Sequence, residues 1–130
     1  MIRTLTVAVC LAVLGTAAVA SGKWSLVATG TQFERVGDRD TFVRLVAQRD
    51  LRRFGIRLEV KPDGSIGGNA FGRNVTGAWQ WRDGYFCREL FWGAREVGAN
   101  CQEVKIAGNM LRFTSDRGAG DFADLRLRQQ

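Results

Sequence analysis

Three sets of side chains in this 130-residue chain have the types and spacing to do chemistry. They are the cysteines Cys87 and Cys101, the arginines Arg44, Arg49, Arg52, Arg53 and Arg57, and the tryptophans Trp79, Trp81 and Trp92. The chain has no histidine, which removes histidine-based general bases, the commonest haem ligand and most zinc sites together. Cys87 and Cys101 lack the CxxC spacing of a redox or metal pair, so they read as a disulfide formed in an oxidising compartment. Closing a loop of that size stabilises a small domain by about 3 kcal/mol in the chain-entropy treatment.

The arginine run surrounds a helix-to-strand corner. Guanidinium groups present a rigid fork to carboxylates and phosphates, so these five residues are candidates for an anion-facing patch. The competing arrangement is a solvated face in which they pair with Asp50 and Glu59. The tryptophans are candidates for stacking a ligand, although aromatics recurring at a period of two also suit a sheet core. Gly64, Gly67, Gly68 and Gly72 have the wrong spacing for a nucleotide fingerprint and fall between strands, so no cofactor is expected. No metal site is expected either. Glu59 with Asp63, and Asp121 with Asp124, are better placed for turns and solvent faces than for paired-carboxylate catalysis.

The elements that must position these groups follow from periodicity. Phe42, Leu45 and Val46 share a face at i, i+3, i+4, behind Asp40 or Thr41 as a cap, which predicts a helix of about two turns. From Arg52 the period becomes two, with Ile56, Leu58 and Val60 inward. Pro62-Asp63-Gly64 turns the chain into a glycine-rich strand over 65–71, where Gly67-Gly68 suggests a bulge or a close backbone approach. Gly72-Arg73-Asn74 turns it again. Val75, Gly77, Trp79 and Trp81 then share one face up to a hairpin at Arg82-Asp83-Gly84.

The strand over 85–92 is apolar on both faces, 93–100 reads as a polar loop, and strands over 101–106, 110–114 and 123–128 follow. A short apolar run at Trp24–Ala28 predicts one further edge strand. The expected class is therefore mainly β: a single antiparallel up-and-down sheet or small barrel of about seven or eight strands, with one short helix and one disulfide.

The first twenty residues, MIRTLTVAVCLAVLGTAAVA, carry Arg3, an apolar run and a small-residue motif at Ala18-Val19-Ala20. They read as a cleaved signal peptide over 1–20, leaving a single β domain over 21–130, exported to the periplasm and without a transmembrane segment after cleavage. Removing Arg3 leaves 18 basic against 13 acidic residues, a net charge of +5, and 15 of the 18 are arginines. Such a basic protein outside the cytoplasm suits an envelope protein or an anionic lipid better than nucleic acid.

GAWQWRDGYFCREL over 77–90, CQEV over 101–104 and LRFTSDRGAGDFADLRLR over 111–128 resemble segments of a group of small exported alphaproteobacterial proteins of unknown function, often labelled dihydrodipicolinate reductase. The likeness implies an exported β domain and transfers no catalytic residue. Two functions follow as expectations: a non-enzymatic periplasmic binding or accessory module with a basic surface for an envelope partner, or a calycin-like carrier of a small apolar ligand. An enclosed apolar cavity would favour the carrier, and a filled core with exposed arginines the module. An enzyme is the third and weakest fit.

Overall fold

The computed structural model describes residues 32–130. The signal segment expected over 1–20 and the edge strand expected over 24–28 lie outside the described residues. In chain order the elements are β1 (Glu34–Arg35), α1 (Arg39–Val46), β2 (Arg49–Arg53), β3 (Ile56–Val60), β4 (Ser65–Ala70), β5 (Arg73–Arg82), β6 (Tyr85–Trp92), β7 (Arg95–Ala107), β8 (Met110–Thr114) and β9 (Phe122–Gln129).

From β2 onward each strand pairs antiparallel with the next, and β9 returns to pair with β2, Leu127 opposite Leu51. The result is a closed eight-stranded up-and-down barrel. An even strand number is what this closure requires, because the first and last strands of a meander must run in opposite directions to pair antiparallel. The two-residue β1 lies outside the cycle and extends the pairing of β7, Glu34 opposite Ile106 and Arg35 opposite Lys105. No helix among the described residues is long and apolar enough to cross a membrane.

Alternation assigns the faces. Val60, Ile66, Val75, Trp79, Phe86, Val104, Leu111, Phe113, Leu125 and Leu127 are all buried in the interior. The expected inward set Val75, Gly77, Trp79 and Trp81 is observed as one face of β5. Two inner-face glycines let neighbouring strands close up. A Cβ at Gly68 would strike the carbonyl of Arg57, and one at Gly77 would strike that of Glu89, so both positions need a residue without a side chain at a tight bend.

The helix plugs one end of the barrel. Its cap is Asp38, not Asp40 or Thr41, because the Asp38 carboxylate accepts from the Thr41 backbone N–H at 2.8 Å and from its hydroxyl at 2.9 Å. An eight-residue helix is unstable alone and must be held by packing. Phe42 supplies that packing: it is fully buried, with its ring centroid 5.0 Å from Phe86, 5.2 Å from Trp81 and 5.3 Å from Trp79.

Two further sequence readings need correction. The strand expected from Arg52 is two strands, β2 and β3, separated by a turn at Phe54-Gly55. The polar loop expected over 93–100 is instead the first half of the 13-residue β7, because pairing with β6 supplies hydrogen bonds that its composition did not foretell. The disulfide joins Cys87 to Cys101, which stand directly opposite each other on β6 and β7.

Truncating the plug tests this packing. Phe42→Ala should lower stability by about 3–5 kcal/mol in urea denaturation, and Phe42→Leu, which retains part of the volume, should cost distinctly less.

Candidate functional site

The two ends of the barrel differ in chemistry. At the helix end the strands are joined by Pro62-Asp63-Gly64, Asp83-Gly84 and Gly108-Asn109. At the opposite end the three short turns are Phe54-Gly55, Phe71-Gly72 and Gly93-Ala94. The fourth connection of that end, between β8 and β9, folds back along β7, where Asp116 and Asn100 exchange hydrogen bonds at 2.8 and 2.9 Å.

Aromatic side chains fill the helix half of the interior, but the described residues fill the other half less completely. An apolar recess of about 490 Å³ opens between β3, β4, β5, β6 and β7, walled by Ile56, Leu58, Val75, Leu90 and Trp92. A deeper space of about 180 Å³ shares Ile56, Leu58 and Leu90 with it and reaches Ile66, Phe86 and Phe113. Small residues leave the room: Ala70 in the outer part and Ala123 in the inner part occupy wall positions where larger residues would project inward.

Arg88 lies in the wall of the deeper space, with Gln102 and Arg53 as the other polar members. It occupies the inward register between Phe86 and Leu90 on β6 and is half-buried. One guanidinium nitrogen, Nη1, donates to the carbonyl of Gly98 at 3.0 Å. Gly98 faces Leu90 next to the β-bulge between Leu90 and Phe91 and has a φ of +95°. Burial pushes the Arg88 pKa down from its ordinary value, but arginine remains charged throughout the physiological range. Among the described residues no carboxylate forms an ion pair with it. A half-buried cation without a carboxylate partner among the described residues, set in a mainly apolar wall, is what an anionic head group would neutralise.

The chain matches no protein-family model, no curated protein and no solved structure. The chemistry of its site therefore rests on the geometry alone.

The structure separates the three tryptophans. Trp79 and Trp81 pack against Phe42 in the helix half, and Trp79 Nε1 donates to the carbonyl of Lys61 at 2.8 Å. Trp92 alone reaches the recess, with its Nε1 bonded to the Ala70 carbonyl at 2.7 Å and the Arg73 guanidinium 4.7 Å from its ring centroid.

The five arginines are brought together only in part. Arg44 stays on α1, donating to the Thr41 hydroxyl at 3.2 Å. Arg49 opens β2, opposite Gln129. Arg52 and Arg57 both bind Asp50, at 2.7 and 2.8 Å, and Arg57 also binds Glu59 at 2.6 Å. Arg53 lines the deep recess and also a polar depression of about 430 Å³ with Arg52, Arg126 and Arg128.

Arg88, Arg126 and Arg128 were not singled out from the sequence. Arg88 carried a readable signal, a charge at an inward position of an alternating strand. Arg126 and Arg128 join the β2 arginines only because β9 closes on β2, a pairing that no local pattern announces.

Asp50 is the anchor of the paired arginines. It is 1% exposed, yet it is covered mainly by its own partners and by Gln130, whose amide lies 3.4 Å away. Burial works to raise its pKa, but hydrogen bonds from Arg52 and Arg57 outweigh that and hold the carboxyl below its ordinary value of 3.8. A depressed folded pKa adds stability that is complete above the unfolded value and lost as pH falls through the folded one. Asp50→Asn should therefore cost about 1–2 kcal/mol at neutral pH and flatten the fall in stability below the unfolded carboxylate range, as read by urea midpoints across an acid series.

Proposed function

We propose that this protein is a non-enzymatic, calycin-like carrier, which takes the apolar part of a small amphipathic anion into the open half of its barrel and sets the anionic head against Arg88. The single observation that carries the reading is the half-buried arginine, without a carboxylate partner among the described residues, in the wall of a mainly apolar recess. A barrel of this size offers room for one small ligand when part of its interior is left unfilled. The Arg53 and Gln102 side chains add polar contacts for a carboxylate or phosphate near the same wall. The disulfide fits an oxidising compartment, and the periplasm is the address that the reading adopts.

A second reading draws on the depression lined by Arg52, Arg53, Arg126 and Arg128. There the protein is an accessory module that docks this basic face on an acidic envelope partner. Attraction between exposed charges is screened by salt, so association through this face should weaken steeply as ionic strength rises, whereas filling of the apolar recess should not.

Titration calorimetry with a medium-chain fatty acid such as decanoate, and with decanol as the uncharged analogue, tests the first reading. Decanoate should bind the tighter of the two, and Arg88→Met should weaken it by about ten- to a hundredfold, the loss expected for a charge-assisted hydrogen bond. Decanol affinity should hardly change in that variant. If neither compound bound, or if Arg88→Met treated both alike, the assignment of the head-group site would fail.

A further inference from the structure

Large apolar side chains are exposed around the mouth of the recess. Phe54 is 93% exposed, Phe71 62%, Val97 54% and Phe91 37%. Phe54 and Phe71 sit in two adjacent turns, tied by a hydrogen bond from the Phe71 N–H to the Gly55 carbonyl at 2.8 Å, and the Phe71 ring lies over Gly55. Phe71, Phe91 and Val97 edge the outer recess. The rim thus collects apolar groups from three hairpin ends that are far apart in sequence.

The backbone makes Phe71 harder to dismiss as chance exposure. Phe71 has a φ of +49° and Gly72 of +81°, the two-residue hairpin geometry that favours asparagine or aspartate followed by glycine. The β5–β6 turn at the other end has the same geometry, with Asp83 at +52° and Gly84 at +83°, and there the favoured residue type is present. At the mouth a bulky aromatic is held at a positive φ and left 62% exposed, where asparagine or aspartate would carry less strain.

The charge on the three hairpin ends that carry these groups is mainly positive. Arg53 adjoins Phe54, Arg73 follows the Phe71-Gly72 turn, and Arg95 follows Gly93-Ala94, against the single acid Glu96 on the three hairpin ends. Separate aromatic tips ringed by arginines suit a lipid interface: phenylalanines enter the acyl boundary one by one while guanidiniums stay at the phosphate level. A rigid protein partner would have to match three projecting tips around an opening, whereas a fluid bilayer accommodates them without shape complementarity.

We propose that the open end of the barrel docks on an anionic bilayer surface, inserting Phe54, Phe71 and Phe91 with Arg73 and Arg95 against the lipid phosphates. This surface is distinct from the Arg88 contact and does not depend on the recess carrying a ligand.

Co-sedimentation with vesicles tests the proposal, using wild type and variants purified in the same form so that any contribution of residues 1–31 is common to all. Wild type should bind phosphatidylglycerol-containing vesicles well above pure phosphatidylcholine ones, and added salt should reduce the difference. Phe54→Ser and Phe71→Asn should each weaken vesicle partitioning, and the double variant should lose at least about tenfold. Phe71→Asn should leave the thermal midpoint unchanged or raised, since asparagine tolerates the positive φ, so lost binding cannot be put down to unfolding.

Decanoate affinity, measured on Phe54→Ser because Phe54 does not line the recess, should stay at the wild-type value, which keeps a failure here separate from a failure of the carrier reading. The proposal is overturned if wild type ignores anionic vesicles, or if the double variant binds them as wild type does. It is equally overturned if sedimentation velocity without lipid shows a dimer that the double variant dissolves, because the rim would then meet a second copy of the chain.

Discussion

Pairing of β9 with β2 is the constraint from which the remaining features follow. It uses up the last two free edges of the meander, so among the described residues no long row of unpaired backbone groups is left to recruit another strand. It also fixes the interior at the width of eight strands, which side chains can just fill. Within that width the inner-face residues decide what is core and what is space. At the helix end Phe42, Trp79, Trp81 and Phe86 meet ring to ring. Toward the mouth, Ala70 and Ala123 replace aromatics and the same cylinder becomes a recess. One closure therefore yields both the plug and the opening.

The charges obey two different rules on the two faces of the sheet. On the outside, Arg112 forms a bidentate pair with Asp124 at 2.8 and 2.9 Å, and Arg52 and Arg57 share Asp50. These pairs hold carboxylates ionised beside half-exposed guanidiniums, where solvent screening keeps their contribution to stability modest. On the inside, Arg88 has a backbone carbonyl in place of a carboxylate. An internal charge of that kind costs free energy in the unliganded protein, and a methionine or leucine would fill the same wall with less penalty. The cost is intelligible where an anion completes the arrangement, and that contrast with the outer arginines is what gives the recess a chemical direction.

Much of the architecture was legible because alternation is a local signal. Ile56 to Val60, Val75 to Trp81 and Leu111 to Phe113 show their inward faces in the sequence itself, and the turns at Asp63-Gly64, Asp83-Gly84 and Gly108-Asn109 use residues that such turns favour. The mouth was illegible for the complementary reason. Phe54 and Phe71 are strand-forming residues placed in turns, so the first turn vanished into a longer strand and the second was read one residue late. Arg95 to Asn100 looked like a loop because glycine and charge are poor strand formers, and pairing with β6 overrode that preference. The misread turns and the misread first half of β7 line or rim the recess, consistent with residue types chosen there for something other than folding.

The position of the disulfide links the fold to the site. A one-residue slip between paired strands turns every side chain to the opposite face, which on β6 would expose Phe86 and Arg88 and carry Glu89 into the apolar interior. The β6–β7 ladder already shifts register once, where Glu96-Val97-Gly98 passes the bulge between Leu90 and Phe91. Cys87 and Cys101 are bonded one residue before Arg88 and directly across from each other, so the shift is confined to the mouth side of Leu90. The cystine therefore does more than shorten the unfolded chain: it fixes which face of β6 looks into the barrel, and with it the direction in which the Arg88 guanidinium points.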